Sequence, residues 1–226
     1  MSSEKVFSFC LYGTAPKYVQ GMHENVRDIA RLFPDWKVYI YHKDVDIEPF
    51  RVYDNIVLVE GRYSGNQLRL DRFRPIDQPS VSIMIVRDAD SRINKRDEWC
   101  ILDFIASPKL FHIIRDHPYH TVPILAGMWG IKKGCIPHFS FSRSTSIYMG
   151  SSIRSRENQL DQYFLADVIY PKIVDRVLIH GSVSMLQSES VTPIPFKHNG
   201  VFCGQVIEYN ADGSTYVNPK DCDVLN

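Results

Sequence analysis

The sequence predicts an α/β protein built on a parallel sheet, and three observations carry that prediction. An apolar run, Val6–Tyr12, a segment of helical spacing and a second apolar run, Lys37–Tyr41, follow one another at the start of the chain. That strand–helix–strand order makes the two strands parallel, with a helical crossover between them. A later uninterrupted apolar run, Val81–Val86, ends directly in Arg87-Asp88-Ala89-Asp90-Ser91-Arg92. Near the carboxyl end, Phe202–Tyr209 and Ser214–Val217 flank Asn210-Ala211-Asp212-Gly213, a turn sequence that predicts a small β-hairpin.

The first strand closes at Tyr12-Gly13-Thr14, and Pro16 suits the first turn of the following helix. Val19, Met22, Val26, Ile29 and Phe33 then recur at helical spacing until Pro34. Lys37–Tyr41 and Ile56–Val59 read as the second and third strands. Asp97 and Glu98 open a helix that runs to Ser107, ahead of Pro108. Leu110–Ile114 reads as a strand leading into Arg115-Asp116-His117-Pro118-Tyr119-His120, followed by Ile124-Leu125-Ala126-Gly127-Met128-Trp129-Gly130-Ile131. Glu157–Tyr170 is helical, with Leu160, Phe164 and Val168 on one face and Pro171 as its stop. Val177–Ile179 is a brief strand ending at His180-Gly181-Ser182. There is no internal repeat, low-complexity tract or linker. Residues 1–226 therefore read as one domain, either whole or part of a longer natural chain.

At 226 residues and 44% hydrophobic content the chain can bury a substantial core. Twenty-six basic residues balance twenty-six acidic ones, so no global charge draws it to nucleic acid or anionic membrane. The five cysteines are scattered and form no Cys-x-x-Cys pair, a pattern of reduced thiols rather than of zinc or redox sites. Met1-Ser2-Ser3-Glu4-Lys5 holds no apolar signal region. No apolar run approaches the ~18 residues of a membrane segment. The expectation is a cytoplasmic protein (host cytoplasm if viral), or a chain from which an anchor or further domain has been cut.

Two carboxylates flanked by arginines at the end of a buried strand have a definite chemical use. Carboxylates hold a hard divalent cation, and cation and guanidinium together hold a diphosphate. That combination grips a nucleotide-sugar. Ligands of parallel sheets sit at the carboxyl ends of strands, where Tyr12-Gly13 and Asp88-Ala89-Asp90 both fall. Eighteen aspartates give about one or two Asp-x-Asp pairs by chance, and the chain has three, so context has to choose. Asp221/Asp223 lies in a polar tail, and Asp44/Asp46 is a rival after the second strand. Only Asp88/Asp90 has both an uninterrupted strand before it and basic neighbours. Arg62, Arg69, Arg72 and Arg74 precede it, as a phosphate-facing wall or as a solvated basic loop.

Phe9-Cys10-Leu11-Tyr12-Gly13, the Arg87–Arg92 motif, Arg115–His120, Gly127–Gly130, Asp161-Gln162, His180-Gly181-Ser182 and Gly200–Gln205 occur in one order along nearly the whole chain. Together they resemble the metal-dependent GT-A-fold glycosyltransferases that carry an Asp-x-Asp motif. The nearer likeness is to small enzymes of chloroviruses, large algal DNA viruses, and to related bacterial proteins. The resemblance implies a Rossmann-like, mixed, mainly parallel sheet flanked by helices. It also implies a nucleotide-diphospho-sugar donor, with UDP favoured over GDP, a glycan acceptor and Mn2+ or Mg2+. Asp90 would ligate the metal, Asp88 would share it or reach the ribose, and His180 would be a further ligand. An imidazole in that set would favour Mn2+.

On the same resemblance, Leu11, Tyr12 and Gly13 receive the base, with Tyr12 either stacking on it or packing in the core. Arg72 and Arg87 contact the donor, while Arg92 does so or pairs with a local carboxylate. Asp161-Gln162 looks like the polar pair beside the anomeric carbon in retaining relatives. Asp161 would otherwise be the base of an inverting enzyme, or simply favour a helix N-terminus. His117, Tyr119, His120 and Trp129 would line the acceptor side with apolar faces and polar edges, Trp129 alternatively being core at a tight turn. Two other readings stand beside this one. A metal-dependent phosphohydrolase would place its motif on the first strand. A non-catalytic nucleotide-sugar or glycan-binding module would not need Asp88, Asp90 and His180 intact.

Overall fold

The computed structural model describes residues 3–151, 158–182 and 184–223. The first strand, β1 (Glu4–Tyr12), leads through the helix α1 (Pro16–Leu32) to β2 (Lys37–Lys43), and β3 (Ile56–Glu60) follows. After β4 (Val81–Val86) come α2 (Lys95–Ala106), β5 (Phe111–Arg115), β6 (Trp129–Lys132) and α3 (Phe141–Ser151). The sheet is completed by β7 (Val177–Gly181) and β8 (Val191–Thr192). Its eight strands lie in the order β3-β2-β1-β4-β6-β5-β7-β8. Only β6 runs against its neighbours, pairing antiparallel with both β4 and β5. The mixed, mainly parallel sheet flanked by helices is the fold class the sequence predicts, and β9 (Glu208–Tyr209) with β10 (Thr215–Tyr216) forms the separate small hairpin.

Alternation along the strands decides which layer each residue joins. Phe7, Phe9 and Leu11 of β1, Val38 and Ile40 of β2, and Ile85 of β4 pack with Met22, Val26 and Ile29 of α1 and Ile101 and Phe104 of α2. Val6, Tyr39, Tyr41, Met84 and Val86 face the other way. They meet Leu68, Leu70 and Phe73 from the 3-10 helix Gly65–Phe73, Phe141 of α3, and Leu160 and Phe164 from α4 (Leu160–Phe164). Asn94 caps α2, its side chain accepting from the N–H groups of Arg96 and Asp97. Asp77 caps α3 from outside, accepting from Phe141 N at 2.9 Å and Ser142 N at 2.7 Å.

Pro171 does not stop the helix that contains Asp161. A π-turn, Leu165–Ile169, follows α4 and resets the hydrogen-bond frame. Pro171 then falls in the first turn of α5 (Tyr170–Ile173), where a missing N–H costs little. Glu157, the expected start of this helix, lies outside the described residues. A last short helix, α6, spans Pro219–Asp223. No described helix is long and apolar enough to cross a membrane.

The chain after β7 is fastened by one carboxylate. Glu189 accepts from Arg115 Nη1 and Nη2, both at 2.8 Å, from Met185 N at 2.6 Å and from the Tyr170 hydroxyl. Burial raises its pKa, but Arg115, Tyr170 and the Met185 N–H outweigh that and hold it at about 2, below the ordinary 4.5. A depressed carboxyl contributes stability that is complete above pH 4.5 and lost as pH falls towards 2. Thermal melts from pH 6 to 3 should show this loss, and Glu189→Gln should flatten the lower part of the profile. An unchanged profile in that variant would refute the assignment.

Candidate functional site

The carboxyl ends of β1 and β4 form the switch point of the sheet, since the chain leaves β1 for β2 on one side and returns to β4 on the other. A cleft of about 290 Å³ opens there, with Cys10 and Tyr12 on β1 and Asp88, Ala89 and Asp90 just beyond β4. Parity separates the motif's first two residues. Asp88 continues the Met84/Val86 face into the cleft, whereas Arg87 continues the Ile85 face towards α2. There Arg87 forms a buried two-pronged pair with Asp97, at 2.9 and 2.6 Å, and donates to the carbonyls of Val86 and Trp129. Arg87 thus ties strand to helix and does not reach the cleft, contrary to the donor contact expected of it.

Arg72, expected to contact the donor, is among the residues that line the cleft. It is buried beneath the cleft, pairing with Asp88 through Nη1 and with Asp161 through Nη2 at 2.9 Å. One guanidinium therefore fixes two carboxylates from distant parts of the chain. Asp161 also accepts from Gln162 N at 3.1 Å, and both residues line the cleft. Burial pushes the Asp161 carboxyl up, and Arg72 followed by Arg69 opposes it.

The Asp88–Ser91 loop is held by its main chain. Asn25, buried on α1, donates to the carbonyls of Ser91 at 2.9 Å and Ala89 at 3.3 Å. One turn earlier, a side chain on Gly21 would collide with the Ala89 carbonyl and the Arg92 guanidinium, so glycine permits the close approach of α1. A Cβ on Gly127 would likewise strike the Asp88 carboxylate from the opposite wall. Arg92 pairs with Glu24 and donates to the Tyr209 hydroxyl at 2.8 Å, which settles its alternatives in favour of a local carboxylate.

Residues 196–209 form a strap across this loop. Val206 bridges to Ser91, Ile207 N donates to Asp90 O at 2.8 Å, and Asn94 Nδ2 donates to Phe202 O at 2.9 Å. The strap is anchored on the buried Asp116 carboxylate, which accepts from Arg96, from Cys203 N at 2.9 Å and from His198 Nε2 at 3.0 Å. Gly204 and Val206 of the strap complete the cleft wall.

The carboxylate pair suits a hard cation. Burial, then the neighbouring Asp88 charge, push the Asp90 carboxyl up to about 6, with Lys17 pulling the other way. Arg72 occupies Asp88 Oδ1 and leaves Oδ2. Two carboxylates with phosphate oxygens and water are the usual surroundings of Mg2+, and Mn2+ accepts the same oxygens. Among the described residues no group of three or more His, Cys, Asp or Glu side chains is disposed to hold a metal. Asp88 and Asp90 could hold such an ion only with further oxygen ligands from outside the described residues.

His180 is not part of that set. It shares its strand face with Leu178, on the α2 side, where its ring packs on Trp99. Its Nδ1 meets His112 Nε2 at 2.8 Å and its Nε2 meets Asp103 Oδ2 at 3.0 Å. Among the described residues His112 Nδ1 has no partner, so the proton order His112 Nε2–H to His180 Nδ1, then His180 Nε2–H to Asp103, engages both nitrogens of His180 and leaves that ring no lone pair for a metal. The preference for Mn2+ over Mg2+ that rested on this imidazole falls with it.

Of the four expected acceptor residues, Trp129 belongs to the core. It is fully buried, stacks on Phe111 at 5.2 Å and donates its indole N–H to Ala126 O. His117 is buried with both nitrogens engaged, Nδ1 by Tyr119 N at 3.1 Å and Nε2 by Asp221 O at 2.9 Å. Tyr119 is 64% exposed beside it, and His120 lines the cleft. Leu11 packs its side chain under α1, so only its main chain faces a ligand there, and Gly13 makes the turn with φ +76°. Tyr12 lines the cleft with its hydroxyl held by Arg69 Nε at 2.8 Å and Asn66 Oδ1 at 3.2 Å. The rival Asp44 and Asp46 are exposed, and Asp46 caps a 3-10 turn through Glu48 N at 3.1 Å.

Two cations at or near the cleft stood outside the donor contacts chosen from sequence. Arg69 lines the cleft beside Tyr12. Lys17, in the first turn of α1, reaches Glu208 at 2.7 Å and acts electrostatically on Asp90. Arg69 stood in the basic stretch and is separated from Arg72 by one 3-10 turn, a periodicity that would have put both on one side. Nothing local marks Lys17.

No family model and no curated protein sequence matches the chain. Its fold is similar to that of a glycosyltransferase involved in the glycosylation of the major capsid of PBCV-1, with a TM-score of 0.53 at 16% identity over 79% of this chain and 81% of that one. It is also similar to 4-diphosphocytidyl-2C-methyl-D-erythritol synthase from Anaerococcus prevotii, with a TM-score of 0.51 at 12% identity over 99% and 97% of the two chains. At such identities the likeness is one of architecture, and the chain has a GT-A-like α/β fold.

Proposed function

We propose that the chain is a glycosyltransferase that moves a sugar from a nucleotide-diphospho-sugar, a UDP-sugar in the first instance, to a hydroxyl of a glycan acceptor. The observation that carries this reading is the pairing of Asp88 and Asp161 through one buried arginine at the β1/β4 switch point, with Asp90 alongside. Asp90 and the free oxygen of Asp88 would hold Mg2+ or Mn2+, which neutralises charge developing on the diphosphate leaving group. Arg69 and Lys17 supply further positive charge to the same oxygens. The base lies against Tyr12 and the main chain of residues 11–13.

Asp161 and Gln162 flank the reacting carbon. Asp161 has one oxygen on Arg72 and the other on the Gln162 N–H, an arrangement that fixes the direction of the carboxylate. The likeness of Asp161-Gln162 to the polar pair of retaining relatives favours retention, with the acceptor proton passing to an oxygen of the departing diphosphate. The acceptor enters past His120 and the exposed ring of Tyr119.

Calorimetric titration of UDP and GDP, with and without Mn2+ or Mg2+, tests the donor assignment on wild type and Asp90→Ala. Metal-dependent UDP binding that disappears in Asp90→Ala is the expected result, together with slow metal-dependent hydrolysis of a UDP-sugar by wild type. Preference for GDP would change the donor class. Absence of nucleotide binding under every condition would end the glycosyltransferase reading.

A further inference from the structure

We propose that His120 is a positioning residue for the acceptor, presenting a fixed, uncharged Nε2–H donor to an acceptor-sugar oxygen. The inference rests on the glycosyltransferase reading and deepens it. His120 stands at the end of a tight turn beyond β5, its peptide N–H bonded to His117 O at 2.8 Å. Its Nδ1 accepts the peptide N–H of Asp116 at 3.1 Å. A nitrogen that accepts a hydrogen bond carries no proton, so the single proton of the neutral ring sits on Nε2.

The tautomer is locked, because Asp116 cannot shift. Its carboxylate is fixed by Arg96, Cys203 N and His198, the anchorage of the strap. The ring itself is held between Phe202 at 5.7 Å and His117 at 5.5 Å. Burial, followed by the adjacent His117, pushes its pKa down to about 4, with Asp116 opposing, so the ring stays neutral at physiological pH. His120 lines the cleft, and its ring bonds through Nδ1, with no bond from Nε2 to any described residue.

A neutral imidazole whose lone pair is occupied cannot be a base. What it offers the cleft is one N–H of fixed direction. The nucleophilic hydroxyl must keep a lone pair free for attack, so the matching partner is a neighbouring hydroxyl or ring oxygen of the acceptor sugar. His120 would then select acceptors by the oxygen next to the reacting one, an effect built on leaving a buried donor unpaired when that oxygen is missing.

Nitrogen-15 spectra of the histidine rings test this directly, with the His120 signals assigned through His120→Gln. The neutral Nε2–H form should persist from pH 5.5 to 8. With UDP and Mg2+ bound, methyl glycosides of glucose, galactose and rhamnose should be compared, and at least one should shift the His120 Nε2–H signal while UDP and Mg2+ alone leave it in place. In transfer assays with the responding glycoside, His120→Phe should raise acceptor KM about tenfold without changing UDP affinity, and His120→Gln should recover most of the loss. A ring protonated on Nδ1 or charged at pH 7, a shift caused by UDP alone, or silence towards every glycoside with UDP bound would each overturn the proposal. Failure of UDP to bind wild type would instead strike the donor reading on which it rests.

Discussion

Arg72→Met is expected to be the most damaging single change in this protein. It removes the guanidinium that touches both Asp88 and Asp161, the only one to do so among the described residues, and it does so without opening a large cavity. Breaking one partner out of a buried ion pair costs about 3–5 kcal/mol. The Asp161 arm should carry most of that, since Asp161 is 4% exposed at its side chain whereas Asp88 is 48% exposed and screened by water. Catalysis should suffer separately. Loss of a preorganised charge beside a developing anion lowers turnover about 10²–10³-fold. Urea denaturation and single-turnover transfer would measure the two effects independently. Arg72→Lys should recover little of either, because an ammonium cannot bridge two carboxylates as a planar fork does. Normal stability and turnover in Arg72→Met would mean that the pairing is incidental.

Asp116→Ala should be nearly as severe by a different route. Its carboxylate collects Arg96, His198 and the Cys203 N–H in one buried place. Burial raises its pKa, yet Arg96 and the Cys203 N–H together hold it below the ordinary carboxylate range, so it is charged whenever the protein is folded at neutral pH. Its removal leaves Arg96 buried without a counter-ion, again about 3–5 kcal/mol. The strap would lose its anchor at the same time. Limited proteolysis should then cut between residues 196 and 209 in the variant and spare wild type, and nucleotide affinity should fall with the cleft wall. A variant that melts lower yet keeps its strap protected would separate stability from this anchoring role.

Much of the architecture could be read from the sequence because its signals are local. Pro16, the helical spacing from Val19 to Phe33 and the unbroken run before Asp88 each act within one or two turns of chain. The position of β6 had no such signal. Trp129–Lys132 is four residues long, and its insertion between β4 and β5 depends on pairing with β4 across forty or more positions. The faces of Arg87 and His180 were hidden for a related reason. Arg87, just beyond β4, and His180, within β7, take the parity of their strands, but only the packed sheet shows which parity faces α2 and which faces the cleft. Trp129 beside Gly130 reads from sequence either as an acceptor-side aromatic or as core at a tight turn, and His117 beside Pro118 as acceptor-side; Phe111 and the Asp221 carbonyl place both in the interior.

The strap has a consequence for how the site comes into being. Synthesis runs from the amino end at about 5–20 residues per second. All eight strands, Arg72, both cleft aspartates of the motif and Asp161 are therefore available before Phe196 leaves the ribosome. The wall they need arrives afterwards, when Phe202 reaches back 108 positions to Asn94 and Val206 settles on Ser91. The strap is thus the last part of the site to be synthesised, and the cleft wall is completed only after the acidic pair and Asp161 are already in the chain.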